Sequence, residues 1–514
     1  MRNANLSPVA ARGPDEEAPP RRPGHIVQIG KQTLVYGLSG VSLQLVGLFT
    51  LPIFARVFSA SEYGVLELAT VGMSVAITLV DAGMTSASQR SFYDYDDSRI
   101  EQRRSVISTA LFFSSILAFL CAIVVILARD PLSRWLFDGE QHDTLVIVVA
   151  VSLPLINAAN LARQTMRLRF RAWRFVISAA LAAVVSAVVG VIAVTAFDAG
   201  VTGVFVGIIA GNALAMVYGL IVIRGDLSHS FSRFQLDRML RYGVPLIPTA
   251  LALWALAFLD RIMLSRLSTL DEVGQYAVAN RVASVLSLAV VAFTTAVGPQ
   301  LFSLYSTDRE LERFIRARVL TYLTVVLCFG GICLALFAQE IVQILAPGYD
   351  SAYEAVGLLL LAIIFFAMSG LTMAGISYTR RSGFFAFGAA VALVIHVGLN
   401  FALMPSIGML GAAISTLAAY VLLAVGYLFI SQRLYPTRYE GRKVFVTLAL
   451  AIPLGALGVV PLGPPVSELT LKLLAILVFF VGIRVLHVVG PEETREIRNL
   501  LGGLFRRPAA QARA

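Results

Sequence analysis

Fourteen apolar stretches, each long enough at roughly 17–25 residues to cross hydrocarbon as a helix, recur along this 514-residue chain. No other feature constrains its fold as much. The stretches are 33–53, 66–88, 106–127, 144–162, 175–196 and 201–223, then 244–265, 275–300, 319–338, 353–377, 384–403 and 408–430, and finally 444–461 and 469–489. Lipid offers no partner to a backbone N–H or C=O, so such a stretch must close its hydrogen bonds within itself. The expected fold is all-α: a polytopic membrane helical bundle of about fourteen transmembrane helices. Only 14% of the residues are charged and 58% are hydrophobic, where a soluble chain has roughly a quarter charged. One continuous bundle is therefore expected in place of several water-soluble domains.

The loops test this map. With the N-terminus inside, 33 of the 41 lysines and arginines fall in inside segments; Arg56, Arg129, Arg134, Arg266 and Lys472 fall outside, a sixth if Arg261 at the outer end of its span is counted with them, and Arg281 and Arg484 are left within helices. That asymmetry is what the positive-inside rule demands, and an error of one helix would scramble it. Both termini are expected in the cytoplasm, with residues 1–30 a disordered tail, 491–514 a second polar tail and the whole in the inner membrane. The net charge of +10 is spread over many short loops, which argues for membrane orientation and against nucleic acid. No loop is long enough to hold a folded domain.

An internal repeat follows. Arg56-Val57-Phe58-Ser59-Ala60-Ser61-Glu62-Tyr63-Gly64 leaves helix 1, and Arg266-Leu267-Ser268-Thr269-Leu270-Asp271-Glu272-Val273-Gly274 leaves helix 7. Arg, Glu and Gly coincide, and Ser59 matches Thr269. Six helices separate the two, an even number, so the blocks at 31–223 and 244–430 are expected to be parallel repeats around a shared cavity. Residues 224–243 link them, and 431–490 add two helices.

Catalytic signatures fail. Gly24 to Gly30-Lys31-Gln32-Thr33 has the wrong spacing for a P-loop and places Gln32 where Ser or Thr is needed. Asp94-Tyr95-Asp96 has no nucleotide-binding domain around it. Cys121, Cys328 and Cys333 sit in apolar runs and read as small hydrophobes. His396 and Asn400, one helical turn apart, read as an interhelical hydrogen-bonding pair and not as a metal site. No catalytic residue, metal or cofactor is expected, and a transporter is what remains.

Ionisable groups inside a span are costly and point to function. Asp81, Asp260, Arg261 and Arg281 qualify. Asp260 either pairs with Arg281 or Arg261 to hold helices 7 and 8 together, or lines an anion subsite with them. Helix 8 carries Asn280, Ser284, Ser287 and Thr294 near Arg281 at helical spacing. Helix 1 offers Tyr36, Ser39 and Gln44, and helix 4 offers Asn157, Asn160 and Gln164 after Pro154. Arg281, Arg261, Arg56, Asn280, Ser284 and Gln44 are the candidate substrate contacts. Asp81 and Asp260 are the candidates for coupling transport to H⁺ or Na⁺. The basic, aromatic segment 163–174 is a cytoplasmic loop that could also attract a phosphorylated headgroup.

Several of these segments carry a resemblance. The run Arg56–Gly64, Arg90-Ser91-Phe92-Tyr93-Asp94-Tyr95, Gly243-Val244-Pro245-Leu246-Ile247-Pro248, Leu259-Asp260-Arg261 and Val273-Gly274-Gln275-Tyr276, in this order, resemble the O-antigen and exopolysaccharide flippases. These belong to the multidrug/oligosaccharidyl-lipid/polysaccharide exporter superfamily. The resemblance spans about residues 30–430, and two further helices match its fourteen-helix branch. It implies two six-helix lobes around a cationic cavity, alternating access, and a polyprenyl-diphosphate oligosaccharide as substrate, with Arg261 and Arg281 meeting the diphosphate. Glycosyltransferases and a polysaccharide polymerase are the partners it implies. A cation-coupled drug exporter of the same superfamily, or a membrane-embedded polymerase or ligase, are the rival readings.

Overall fold

The computed structural model describes residues 46–488, apart from 97, 138–141, 229–230, 380, 382 and 461–464. Gln44, Tyr36, Ser39 and both terminal tails lie outside the described residues. Among those described there are helices and no strand.

The first half contains α1 (Val46–Val57), α2 (Ala60–Asp81), α3 (Met84–Tyr93), α4 (Ile100–Leu127), α5 (Arg129–Leu136), α6 (Asp143–Leu168), α7 (Ala172–Ala196) and α8 (Gly200–Ile223). A short helix, α9 (Arg233–Gly243), occupies the expected linker. The second half contains α10 (Ile247–Leu267), α11 (Leu270–Ala283), α12 (Val285–Thr307), α13 (Arg309–Leu336), α14 (Ala338–Leu345), α15 (Ala352–Thr372), α16 (Ala374–Tyr378) and α17 (Gly383–Leu434). Two more, α18 (Gly441–Ala456) and α19 (Pro465–Val485), follow. Eleven helical stretches are long and apolar enough to cross a membrane. One of them, α17, bends at Ile407 and Gly408 into two limbs. The described residues therefore establish a polytopic bundle without fixing the count at fourteen.

Two expected spans are broken. The second divides at Ala82 and Gly83, both left-handed, into α2 and α3. The eighth, expected as one helix over 275–300, divides at Ser284 into α11 and α12. Hydropathy over a window as long as a span does not register where the hydrogen-bonding pattern is interrupted, which is why sequence could not see them.

Elements of the first half recur about 210 residues later: α2 as α11 and the start of α12, α4 as α13, α5 as α14, α6 as α15 and α16, and α7 and α8 as the two limbs of α17. The repeated motif forms the same local structure twice. The Ser59 hydroxyl accepts the Glu62 N–H at 3.3 Å to cap α2, and the Thr269 hydroxyl accepts the Glu272 N–H at 3.2 Å to cap α11. Here α2 and α11 cross almost backbone to backbone. A methyl on Gly64 would stand 2.2 Å from the Leu270 carbonyl oxygen, and one on Gly274 would stand 1.9 Å from that of Ala60. Each glycine thus faces the first residue of the other repeat's helix.

Other contacts close the same end of the bundle. The Tyr349 hydroxyl donates to the Phe58 carbonyl at 2.9 Å. The Met409 N–H donates to Glu272 at 2.6 Å. Gly408, with φ +51°, leaves room for that carboxylate, which a Cβ would overlap. A single buried core continues from Leu51 of α1 through Val278 of α11 to Ile483 of α19. Lys472, assigned by sequence to an outside segment, is a buried residue of α19 paired with Glu340 of α14 and, at 2.8 Å, with Glu468. Its charge therefore locks the last helix onto the second half.

Candidate functional site

Beneath the α2–α11 crossing lies a cluster of buried charges drawn from both halves. Asp260 and Arg261, adjacent on α10, are 2% and 3% exposed. Arg261 donates to Asp260 at 2.9 Å, to Glu67 of α2 at 2.8 Å and to the Ala257 carbonyl at 2.6 Å. The other oxygen of Asp260 accepts the Tyr276 hydroxyl at 2.6 Å and faces Thr416 of α17 at 3.4 Å. The guanidinium also lies over the rings of Phe258 and Tyr276, 5.3 and 5.5 Å from their centres. Both carboxylates and their arginine are thus mutually satisfied, the condition for holding charge away from water.

Arg281 stands differently. It rises from α11 in the same cluster, beside the Tyr63 hydroxyl and within electrostatic reach of Glu67 and Arg261. Its guanidinium packs on α1 at Gly47, where a methyl would come within 2.8 Å of Nη1. Among the described residues it forms no ion pair with a carboxylate, whereas Arg261 forms two. Of the pairings left open by sequence, the one between Asp260 and Arg261 is formed, and Arg281 hydrogen-bonds Tyr63 instead.

The remaining candidates separate. The Ser284 hydroxyl donates to the Arg281 carbonyl at 2.7 Å, and Thr294 to that of Val290 at 2.8 Å, so the proton of each is committed to its own helix while the oxygen can still accept. The polar face expected along helix 8 is divided between α11 and α12 at Ser284, and Asn280 stays half-buried next to Arg281. Arg56 is exposed and stands apart from the cluster. It binds the Pro52 carbonyl at 2.7 Å and the Ile344 carbonyl at 2.9 Å, closing the end of α1 against α14. Asp81 also lies elsewhere. It accepts the Thr85 N–H at 3.2 Å and the Thr85 hydroxyl at 2.5 Å across the α2–α3 break, on the wall of a cavity of about 830 Å³. His396 and Asn400 do meet each other, at 3.3 Å, and Asn400 reaches Met263 of α10 at 3.6 Å.

Sequence reasoning passed over Glu67, although an acid inside an apolar helix is a signal in itself. It lies at the second residue of the expected span 66–88, and only the fold shows it facing Arg261. Tyr63 and Tyr276 carried no such signal, since a tyrosine in an apolar run reads as core. No group of three or more acidic, histidine or cysteine side chains able to hold a metal occurs among the described residues.

Residues 29–305 match the family model of polysaccharide biosynthesis proteins. A Shigella flexneri protein named as an O-antigen transporter is 21% identical over 397 residues, covering 74% of this chain and 92% of its own. Among solved structures, the lipid II flippase MurJ in an inward closed conformation superposes with a TM-score of 0.71 at 13% identity, over 88% of this chain and 99% of its own. An inward-facing multidrug resistance MATE family transporter of the MOP superfamily gives 0.65 at 15% identity, over 77% and 97%. These likenesses show the fold. Since the family model spans more than half of the chain, this multi-pass membrane protein belongs to the polysaccharide biosynthesis protein family.

Proposed function

We propose that the chain is a flippase that moves a polyprenyl-diphosphate-linked oligosaccharide across the cytoplasmic membrane by alternating access, for cell-surface polysaccharide synthesis. Arg281 carries the reading. It is a cation between the two halves with no carboxylate partner among the described residues. A diphosphate cannot enter hydrocarbon bare, because desolvating an isolated charge costs many kcal/mol. A guanidinium offers it a planar, bidentate, charge-assisted partner. The prenyl tail can stay in lipid while the sugar crosses through the cavity.

A cation-coupled drug exporter fits less well. Its site would present a free carboxylate, and here Asp260 and Glu67 are both bound by Arg261. The contacts that join the halves at the α2–α11 crossing lie at the end which the arginine partition assigns to the outside, which fits a state closed on that side. Asp81 is retained as the candidate for H⁺ or Na⁺ coupling. Glycosyltransferases supply the substrate and a polysaccharide polymerase consumes the product.

The test is complementation in a strain lacking its own flippase. Arg281→Ala should abolish surface polysaccharide at normal membrane levels of the protein. Arg281→Lys should restore part of it, because the charge is kept and the fork lost. Full activity of Arg281→Ala would overturn the diphosphate role.

A further inference from the structure

The cavity that holds Asp81 lies well away from the Arg261–Arg281 cluster in chemistry as well as in place. Its walls come from α2, α3, α6, α7, α8 and the entry of α10, and its volume of about 830 Å³ lies in the range of roughly 300–1,000 Å³ typical of ligand sites. One wall is a stripe on α6. Asn157, Asn160 and Gln164 share a face of that helix, beginning one turn after Pro154. Asn157 is only 3% exposed, yet its amide nitrogen has no hydrogen-bond partner. Arg163 donates to the Asn160 amide oxygen at 2.5 Å through one nitrogen, while its other terminal nitrogen is buried and unpartnered. Two buried donors thus stand unmet at one opening.

We propose that this cavity is a glycan subsite, which hydrogen-bonds the hydroxyl-rich sugars of the transported lipid. The inference rests on the flippase reading and assigns the sugar a place separate from the diphosphate. An apolar ligand would leave each of these buried donors unsatisfied, at about 1–3 kcal/mol apiece. A cationic ligand would meet Arg163 and Arg167 against the single carboxylate of Asp81, one of whose oxygens Thr85 already occupies. A small anion would be held by the donors but repelled by Asp81 and the amide oxygens. A sugar hydroxyl both donates and accepts, and so matches amides, hydroxyls, a carboxylate and a guanidinium together.

Cysteine protection tests the assignment in full-length protein reconstituted in nanodiscs, with Cys121, Cys328 and Cys333 replaced by alanine. Asn160→Cys and, separately, Asn280→Cys are labelled with N-ethylmaleimide. Three competitors are compared: the lipid-linked oligosaccharide extracted from the source cells, the glycan released from it by mild acid, and inorganic pyrophosphate. The expected result is several-fold slower labelling at Asn160→Cys with the intact lipid and with the free glycan, and none with pyrophosphate. Protection of Asn160→Cys by pyrophosphate, or its absence with the intact lipid while Asn280→Cys is protected, would overturn the glycan subsite and leave the flippase reading standing. Protection at neither position would remove both. Asn157→Ala supplies a second readout. Because its amide is unpartnered, the variant should melt no lower than the parent while losing several-fold of the glycan protection at Asn160→Cys. A lower melting temperature with protection intact would make Asn157 a packing residue and refute its part in the site.

Discussion

Replacing Gly274 with alanine places a methyl where the structure has almost no room. The new carbon would stand 1.9 Å from the Ala60 carbonyl oxygen, and the matching change at Gly64 would put one 2.2 Å from that of Leu270. Both obstacles are backbone, so no side chain can swing aside. Ordinary contact requires α2 and α11 to part by more than an ångström, at the point where the two halves meet. Overpacking of this kind costs about 1–3 kcal/mol. Under the proposed alternating access, this strain falls on the outer end and is relieved by opening it, so the same energy shifts the balance between the two proposed states roughly 5- to 150-fold. Each substitution relieves the other's clash once the helices have parted. The double variant Gly64→Ala/Gly274→Ala should therefore cost clearly less than the sum of the single ones. The assay is labelling of Leu270→Cys, buried in the crossing, by a membrane-impermeant maleimide applied to intact cells, alongside surface polysaccharide. Faster labelling and reduced export are expected for each alanine. If Gly274→Ala labels at the parental rate and exports normally, or if the two effects simply add, the crossing is not the seal argued for here.

Three further outcomes follow from the charges. Arg261→Gln should lower folded protein sharply, because Asp260 and Glu67 are left buried without their partner at about 3–5 kcal/mol. Adding Asp260→Asn and Glu67→Gln should restore the level, as judged by fluorescence-detected size exclusion, and a triple variant no better expressed than the single would contradict the pairing. A cysteine at Ser306, exposed at the end of α12, should resist an impermeant reagent in intact cells and react in inverted vesicles, whereas the reverse pattern would invert the topology. Asp81→Asn should weaken the dependence of export on an ion gradient, measured by varying H⁺ and Na⁺ separately across proteoliposomes, and an unaltered dependence removes Asp81 from coupling.

Much of this architecture was legible in the chain because lipid leaves so few alternatives. A run such as 144–162 or 175–196 must be helical in hydrocarbon, and α6 and α7 cover both. The Arg56–Gly64 and Arg266–Gly274 runs announced the repeat, since a capped helix start and an obligatory glycine demand particular residues at particular places, and Ser59, Thr269, Gly64 and Gly274 each perform that local task. The ionisable residues within spans were legible too, because their cost in lipid makes them rare.

What each of them touches depended on the tertiary structure. Arg261 and Arg281 look alike in the sequence, and only the packing of α2 against α10 and α11 pairs one of them with Asp260 and Glu67 and sets the other beside Tyr63, with no ion pair among the described residues. Ser284 and Thr294 read as a polar stripe, yet their hydroxyls donate back to the Arg281 and Val290 carbonyls one turn earlier, a choice that helix periodicity cannot reveal. That Arg56 clasps the end of α1 to α14 was likewise hidden, because only the fold brings the Ile344 carbonyl beside it. The breaks at Ala82–Gly83 and Ser284 were equally hidden, since apolar content says that a segment enters the membrane and nothing about where its hydrogen-bonding pattern is interrupted. Lipid dictates the elements one at a time from local composition, whereas pairing depends on which helices become neighbours, a property of the whole chain.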